Sequence, residues 1–169
     1  MANMNTSRSM AVFILLLAAL AAFVVVTSQG MPLVVASHFG VNGLPNGFMP
    51  RTTYTVVMLV LVVVLPFLLA ALPSALARRG GAGLNIPNRA YWLAPERYAA
   101  TAAYLNLQGK VSSGALALFL AYVHWLVVRA NASIPAALPL APFYAGMVAF
   151  LVIVALQVGS LYAHYGRRA

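Results

Sequence analysis

The chain lacks cysteine altogether and, in 169 residues, carries a single acidic side chain, Glu96. Without thiols there is no disulfide and no thiolate metal site, so cysteine usage gives no information about redox compartment. One carboxylate cannot form the two-carboxylate pair of acid/base catalysis. No nucleophile stands beside a base, and no glycine loop has phosphate-binding spacing, so the sequence reads as a non-enzyme without cofactor or metal. Charge of either sign is scarce: Asp, Glu, Lys and Arg make up 7% of residues, against 63% hydrophobic. That balance lies far from soluble domains. The formal charge of +9 comes from ten Lys/Arg. These flank apolar runs and do not share one solvated face, which argues against a nucleic-acid partner.

What is abundant is uninterrupted apolar sequence. Four runs, at about 10–28, 54–76, 112–128 and 143–163, approach the ~20 residues that cross ~30 Å of hydrocarbon. Backbone groups in lipid must be paired within the segment, so even the β-branched Val60–Val64 stretch is read as helix. Thr27 and Ser28 are expected to return their hydroxyls to the first helix. Pro66 should kink the second. Arg8, Arg78, Arg79, Arg89, Arg97, Lys110, Arg167 and Arg168 fall on one side of this map, and only Arg51 and Arg129 on the other. Positive residues stay cytoplasmic. The reading is therefore an all-α integral membrane protein, a single domain over 1–169 with four transmembrane helices, N-in/C-in. External loops cover 29–53 and 129–142, and a cytoplasmic loop 77–111. The first run is read as a retained span; the competing reading, a cleaved signal peptide, leaves the rest of the topology unchanged.

Small residues recur at helical spacing as Ala18/Ala22, Ser113/Ala117/Ala121 and Ala155/Gly159/Ala163. Such stripes let lipid-immersed helices approach closely, and the third, centred on glycine, is the one expected to pack. His124 and Gln157 are intramembrane polar residues, expected to hydrogen-bond between helices, His124 with Tyr122 or the fourth helix. His38 and His124 are a remote candidate metal pair, without a carboxylate to complete it.

Two loops are informative. The external Met31–Thr52 is unusually apolar. Its Asn42-Gly43 and Pro45-Asn46-Gly47 are turn signals, giving a hairpin with Leu33–Phe39 extended and Gly47–Arg51 returning. In the cytoplasmic loop, Pro95 should start a short interfacial helix, with Glu96 near its positive end and Gly109 ending it. Arg78, Arg79 and Arg89 are expected against anionic lipid headgroups. Glu96 is expected to pair with Arg97 or Arg89.

The order Pro32, His38, Phe39, Gly43, Pro45, Asn46, Gly47 after a first helix resembles a bacterial membrane domain of unknown function. That domain is shared with the sporulation-delay immunity protein (SdpI) family, and the likeness covers about residues 10–70. Members usually carry an acid where Asn46 stands, and the larger ones differ in length and number of spans. Leu84–Leu105, with Asn-Ile-Pro-Asn-Arg-Ala-Tyr-Trp-Leu-Ala-Pro-Glu-Arg, is similar to a segment in one branch of that family. The resemblance implies a bacterial inner-membrane location; for the immunity protein it implies toxin resistance and sequestration of a repressor at the membrane. His38, Phe39, Pro45, Asn46, Gly47, Trp92, Glu96 and Arg97 become candidate partner-binding residues. The functional expectation is a non-catalytic protein that binds a membrane-protein partner or lipid. Its rivals are an accessory subunit of a respiratory or photosynthetic complex and, more distantly, a small-solute transporter.

Overall fold

The computed structural model describes residues 2–81 and 83–166, with backbone alone at 2–6; Arg167 and Arg168 lie outside the described residues. Helix α1 (Ala2–Gln29) leads into an antiparallel hairpin, β1 (Val34–Phe39) and β2 (Pro45–Pro50). Helix α2 (Arg51–Arg78) follows, then a one-turn α3 (Arg89–Trp92), α4 (Pro95–Asn131) and α5 (Leu140–Gly166). Ser7–Gln29, α2, α4 and α5 are each long and apolar enough to cross a membrane, and the chain is a multi-pass membrane protein. The hairpin sits at one end of the helices, while the α2–α4 connection and the chain's first and last helical turns share the other.

Helix α4 is the hub. Helices α1 and α2 pack on it and touch each other, and α5 lies chiefly against α4. Near the hairpin the core joins Val24, Met31, Val35, Tyr54, Met58, Val62, Ala121 and Val127. Farther down, Phe13, Leu17, Ala70 and Ala117 form a second cluster, and Leu20 and Val63 touch both. The inward face of α1 is thus bulky, while that of α4 is small: Ser113, Ala117 and Ala121 are buried. Large side chains from two helices fill the space that small residues on the third leave.

Several sequence expectations change here. The stripe that packs is Ser113/Ala117/Ala121; Ala155, Gly159 and Ala163 are exposed, and a Cβ at Gly159 would meet nothing within 4 Å. Ala18 and Ala22 also face outward. Glycine at the centre of a stripe permits close approach but does not recruit a neighbour. Nor does Gly109 end a helix, because Pro95–Asn131 is one rod of 37 residues, about 55 Å long against ~30 Å of hydrocarbon. A Cβ at Gly109 would lie 2.8 Å from Pro73 Cγ and 3.6 Å from the Ala70 carbonyl oxygen. Its missing side chain lets α2 and α4 touch there. Ser74 Oγ donates to Asn106 Oδ1 across the same contact, at 2.5 Å, and Tyr98 OH to the Ala77 carbonyl.

Pro66 acts on the backbone one turn early. Val60–Val64 is π-helical, and the Leu65 N–H reaches the Val60 carbonyl five residues back. A proline ring collides with the carbonyl four residues before it, here that of Val62; the wider turn moves that carbonyl aside and keeps α2 continuous.

Replacing buried Ala117 (0% exposed) with Leu should overpack the α1–α4 seam and cost about 1–3 kcal/mol. Gly159→Leu, in open surroundings, should change stability by less than about 0.5 kcal/mol. Thermal unfolding of the two variants in the same neutral detergent checks the ranking.

Candidate functional site

The hairpin is the part of the chain built least like a membrane helix. Val34 pairs with Pro50, Val35 with Met49, Ala36 with Phe48, His38 with Gly47 and Phe39 with Pro45, with irregular register around His38. Val35 and Ala36 are buried and Phe39 packs on the core, while Leu33, Val34, Val41, Leu44 and Phe48 stay exposed.

The motif residues make this geometry. A Cβ on Gly47 would lie 2.9 Å from His38 Cβ, so only glycine leaves the histidine room across the ladder. His38 Nδ1 and Asn46 Oδ1 are 2.5 Å apart, both side chains exposed. Asn42 Oδ1 accepts from the Leu44 N–H at 3.1 Å. Gly43, at φ +79°, holds the left-handed conformation that glycine adopts at no steric cost, and its carbonyl accepts from the Leu138 N–H at 2.8 Å. The tip is thereby tied to the α4–α5 connection.

Two anchors fix the hairpin to the helices. Asn131, the last residue of α4, accepts from the Ala36 N–H at 2.8 Å and donates to the Ala36 carbonyl at 2.9 Å. It completes the missing half of a backbone ladder on β1. Arg51 at the start of α2 donates Nη1 to the carbonyls of Gln29 and Met31, at 2.7 and 2.9 Å, occupying the end of α1. Neither contact was legible in the sequence. A helix-terminal asparagine carries a signal only once its neighbouring strand is known.

Below the hairpin lies a polar node. His124 is fully buried, with Nε2 2.7 Å from Thr27 Oγ1 and Nδ1 2.9 Å from Tyr54 OH. Its partners are thus on α1 and α2 and not the expected Tyr122 or fourth helix; Tyr122 donates to the Pro142 carbonyl at the start of α5. The imidazole stacks on Tyr54 and meets the edge of Phe23. Both ring nitrogens of His124 are thus engaged by hydroxyls, while His38 is paired with Asn46. Thr27 also bonds back to the Phe23 carbonyl, as expected, but buried Ser28 Oγ has no partner among the described residues.

At the opposite end, Leu84–Leu105 wraps the last turn of α5. Asn88, at φ +51°, donates Nδ2 to the Tyr165 carbonyl at 3.0 Å, and Trp92 Nε1 donates to the same oxygen at 3.0 Å. Trp92 stacks on His164, and so does Tyr104, at 4.1 Å between centroids. Trp92 is thereby committed to capping α5. Arg97 lies over the Tyr91 ring, 3.9 Å from its centroid, and Arg89 donates to the Gly81 carbonyl. Neither contact involves Glu96, which is exposed in the first turn of α4; the contacts of Arg97 and Arg89 among the described residues are cation–π and backbone ones. Arg78 and Arg79 are exposed at this end. Gln157 is half-buried on α5, its Nε2 without a partner among the described residues. No group of three or more metal-ligating side chains occurs among the described residues.

Asn131→Ala should release β1 while leaving the helical core intact. Hydrogen exchange is expected to accelerate at residues 34–50, beginning with the Ala36 N–H, with little change at 13–24 and 113–127. Tyr54→Phe, which removes one bond to His124, should cost about 0.6–1.7 kcal/mol in detergent unfolding without altering exchange in the hairpin.

Residues 13–70 match the family described as a domain of unknown function (DUF1648). This stretch, about a third of the chain, runs from α1 through the hairpin into α2. It contains His38, Gly47, Arg51 and Tyr54 but neither Asn131 nor His124. No curated protein and no solved structure matches the chain.

Proposed function

We propose that the protein is a non-catalytic membrane protein that works by presenting the β1–β2 hairpin to a membrane-protein partner, in the manner of the immunity and signalling proteins its motif resembles. The observation that carries this reading is the hairpin's two-faced construction. On one side Asn131 bonds the Ala36 backbone at the edge of β1 and Arg51 holds the chain entering the hairpin at Gln29 and Met31, while Leu33, Val34, Phe48 and the His38–Asn46 pair stay exposed. Exposed apolar side chains on a firmly held scaffold suit a partner that buries them. Phe39 and Gly47 then serve the fold of the hairpin, and His38, Asn46 and Phe48 its recognition.

The reading places both termini and residues 77–111 in the cytoplasm of a bacterial cell and the hairpin outside, following the arginine distribution. Arg78, Arg79 and Arg89 then face anionic headgroups of the inner leaflet. A second reading, an accessory subunit of a larger membrane complex, draws on α5. That helix buries only Tyr165 and leaves Val148, Leu151, Val152, Leu156 and Val158 exposed, a surface that a neighbouring subunit would cover.

Because the chain has no cysteine, single cysteines at exposed Val41 and Gly80 allow unambiguous labelling in intact cells. Val41→Cys is expected to react with a membrane-impermeant maleimide and Gly80→Cys only after permeabilisation; the reverse pattern overturns the orientation. Phe48→Asp should abolish co-purification of a partner with the protein extracted in mild detergent, with membrane insertion unchanged. A stoichiometric complex that survives Phe48→Asp but is lost on Leu151→Asp and Leu156→Asp would favour the subunit reading.

A further inference from the structure

Between α1 and α4, at the end opposite the hairpin, runs a groove of about 520 Å³. Its walls are apolar from Leu107 and Val12 to Leu16 and Leu118, and Arg8 and Lys110 stand at its mouth. Lys110 is only 7% exposed, and its Nζ donates to Ser9 Oγ on α1 at 2.9 Å. A serine hydroxyl is a hydrogen-bond partner but not a counter-ion, and a buried ammonium without opposing charge is costly. The only side-chain carboxylate of the protein is Glu96, 14 residues earlier on the same helix, which places it about 21 Å away along the axis. A second cation, Arg8, adds like charge at the same mouth. Among the described residues nothing supplies the opposing charge, so this corner suits an anion from outside the chain.

The shape names the anion. From Leu107 to Leu118 the groove follows α4 for 11 residues, about 16 Å, which matches half of the ~30 Å hydrocarbon thickness of a bilayer. A pair of cations at the interface, continuing into one leaflet's depth of apolar wall, fits an amphiphile with an anionic head and a long apolar tail. We propose that this groove is a binding site for one anionic phospholipid, its phosphate held by Lys110 and Arg8 and an acyl chain lying along Leu16, Ala115 and Leu118. The site is separate from the exposed arginines 78, 79 and 89 and needs only that the helices span a membrane, so it stands whether or not the hairpin recognises a partner. Gly114, whose Cβ would sit 3.4 Å from Leu16 Cδ2, keeps the floor of the groove open.

Native mass spectrometry of the full chain in neutral detergent, titrated with phosphatidylglycerol or phosphatidylcholine of identical acyl chains, tests the site. The expected result is one phosphatidylglycerol retained per chain in preference to phosphatidylcholine. That preference should fall about fivefold for each charge removed in Arg8→Gln and Lys110→Gln. Arg8 is exposed, so its variant reads binding without a folding defect. Ala115→Trp should block the tail and reduce retention of both lipids with the cations intact. Equal retention of the two lipids, or undiminished preference in the double charge variant, overturns the proposal. Displacement of phosphatidylglycerol by millimolar inorganic phosphate would overturn it in favour of a simple anion site. Conversion of a dimer to a monomer by Ala115→Trp would overturn it in favour of a second copy in the groove.

Discussion

An unpaired donor or acceptor is costly in an apolar slab, and the arrangement of this protein turns on how His124 meets that demand. Its two ring nitrogens reach Thr27 on α1 and Tyr54 on α2, so one imidazole ties three helices at one depth. With the helices joined there, the bulky face of α1 and the small face of α4 are set in register. Phe13 and Leu17 then share a cluster with Ala117, and Val24 shares the upper one with Ala121. The tie also lies just beneath the hairpin, whose strands are positioned by the neighbouring ends of the same helices.

The two ends of the molecule solve a common problem by different means. Helix termini leave carbonyls and amides without intrahelical partners. At the hairpin end, Arg51 takes up the carbonyl of Gln29, the last residue of α1, and that of Met31 just beyond it, and Asn131 spends its amide on β1. At the other end Asn88 and Trp92 both donate to the Tyr165 carbonyl. The two conspicuous sequence motifs are thus first of all devices for joining elements. Gly43, Gly47 and Asn46 shape the hairpin, and Asn88 and Trp92 close the last helix. What they leave exposed is chiefly His38 and Phe48.

The four helices were legible because length and hydropathy are summed over some twenty residues, and the environment leaves the backbone no alternative. The hairpin was legible from Asn42-Gly43 and Pro45-Asn46-Gly47, whose backbone preferences are local. What escaped were facts of pairing. Gly109 looked like a stop, yet it is a contact with Pro73. Gly159 looked like a contact, yet it has no neighbour. His124 was visible as a polar group needing partners, but Thr27 and Tyr54 stand 97 and 70 residues away in sequence. Lys110 was counted as an ordinary loop cation; its burial against Ser9 follows from α4 running unbroken through a segment that composition alone divides in two.

Helix α5 illustrates what such anchoring implies. It is pinned at its first turn by Tyr122, which donates to the Pro142 carbonyl, and at its last by Asn88 and Trp92. Between these pins Phe150 stacks on Phe119, and Tyr122 fills the gap left by Gly146, while most of the remaining surface looks away from the bundle. A beam fastened at its tips and lightly braced at midspan transmits a push or twist from one end to the other with little resistance from its sides. The rim at the hairpin end and the aromatic clasp around His164 are therefore mechanically joined through α5, independently of the three-helix core.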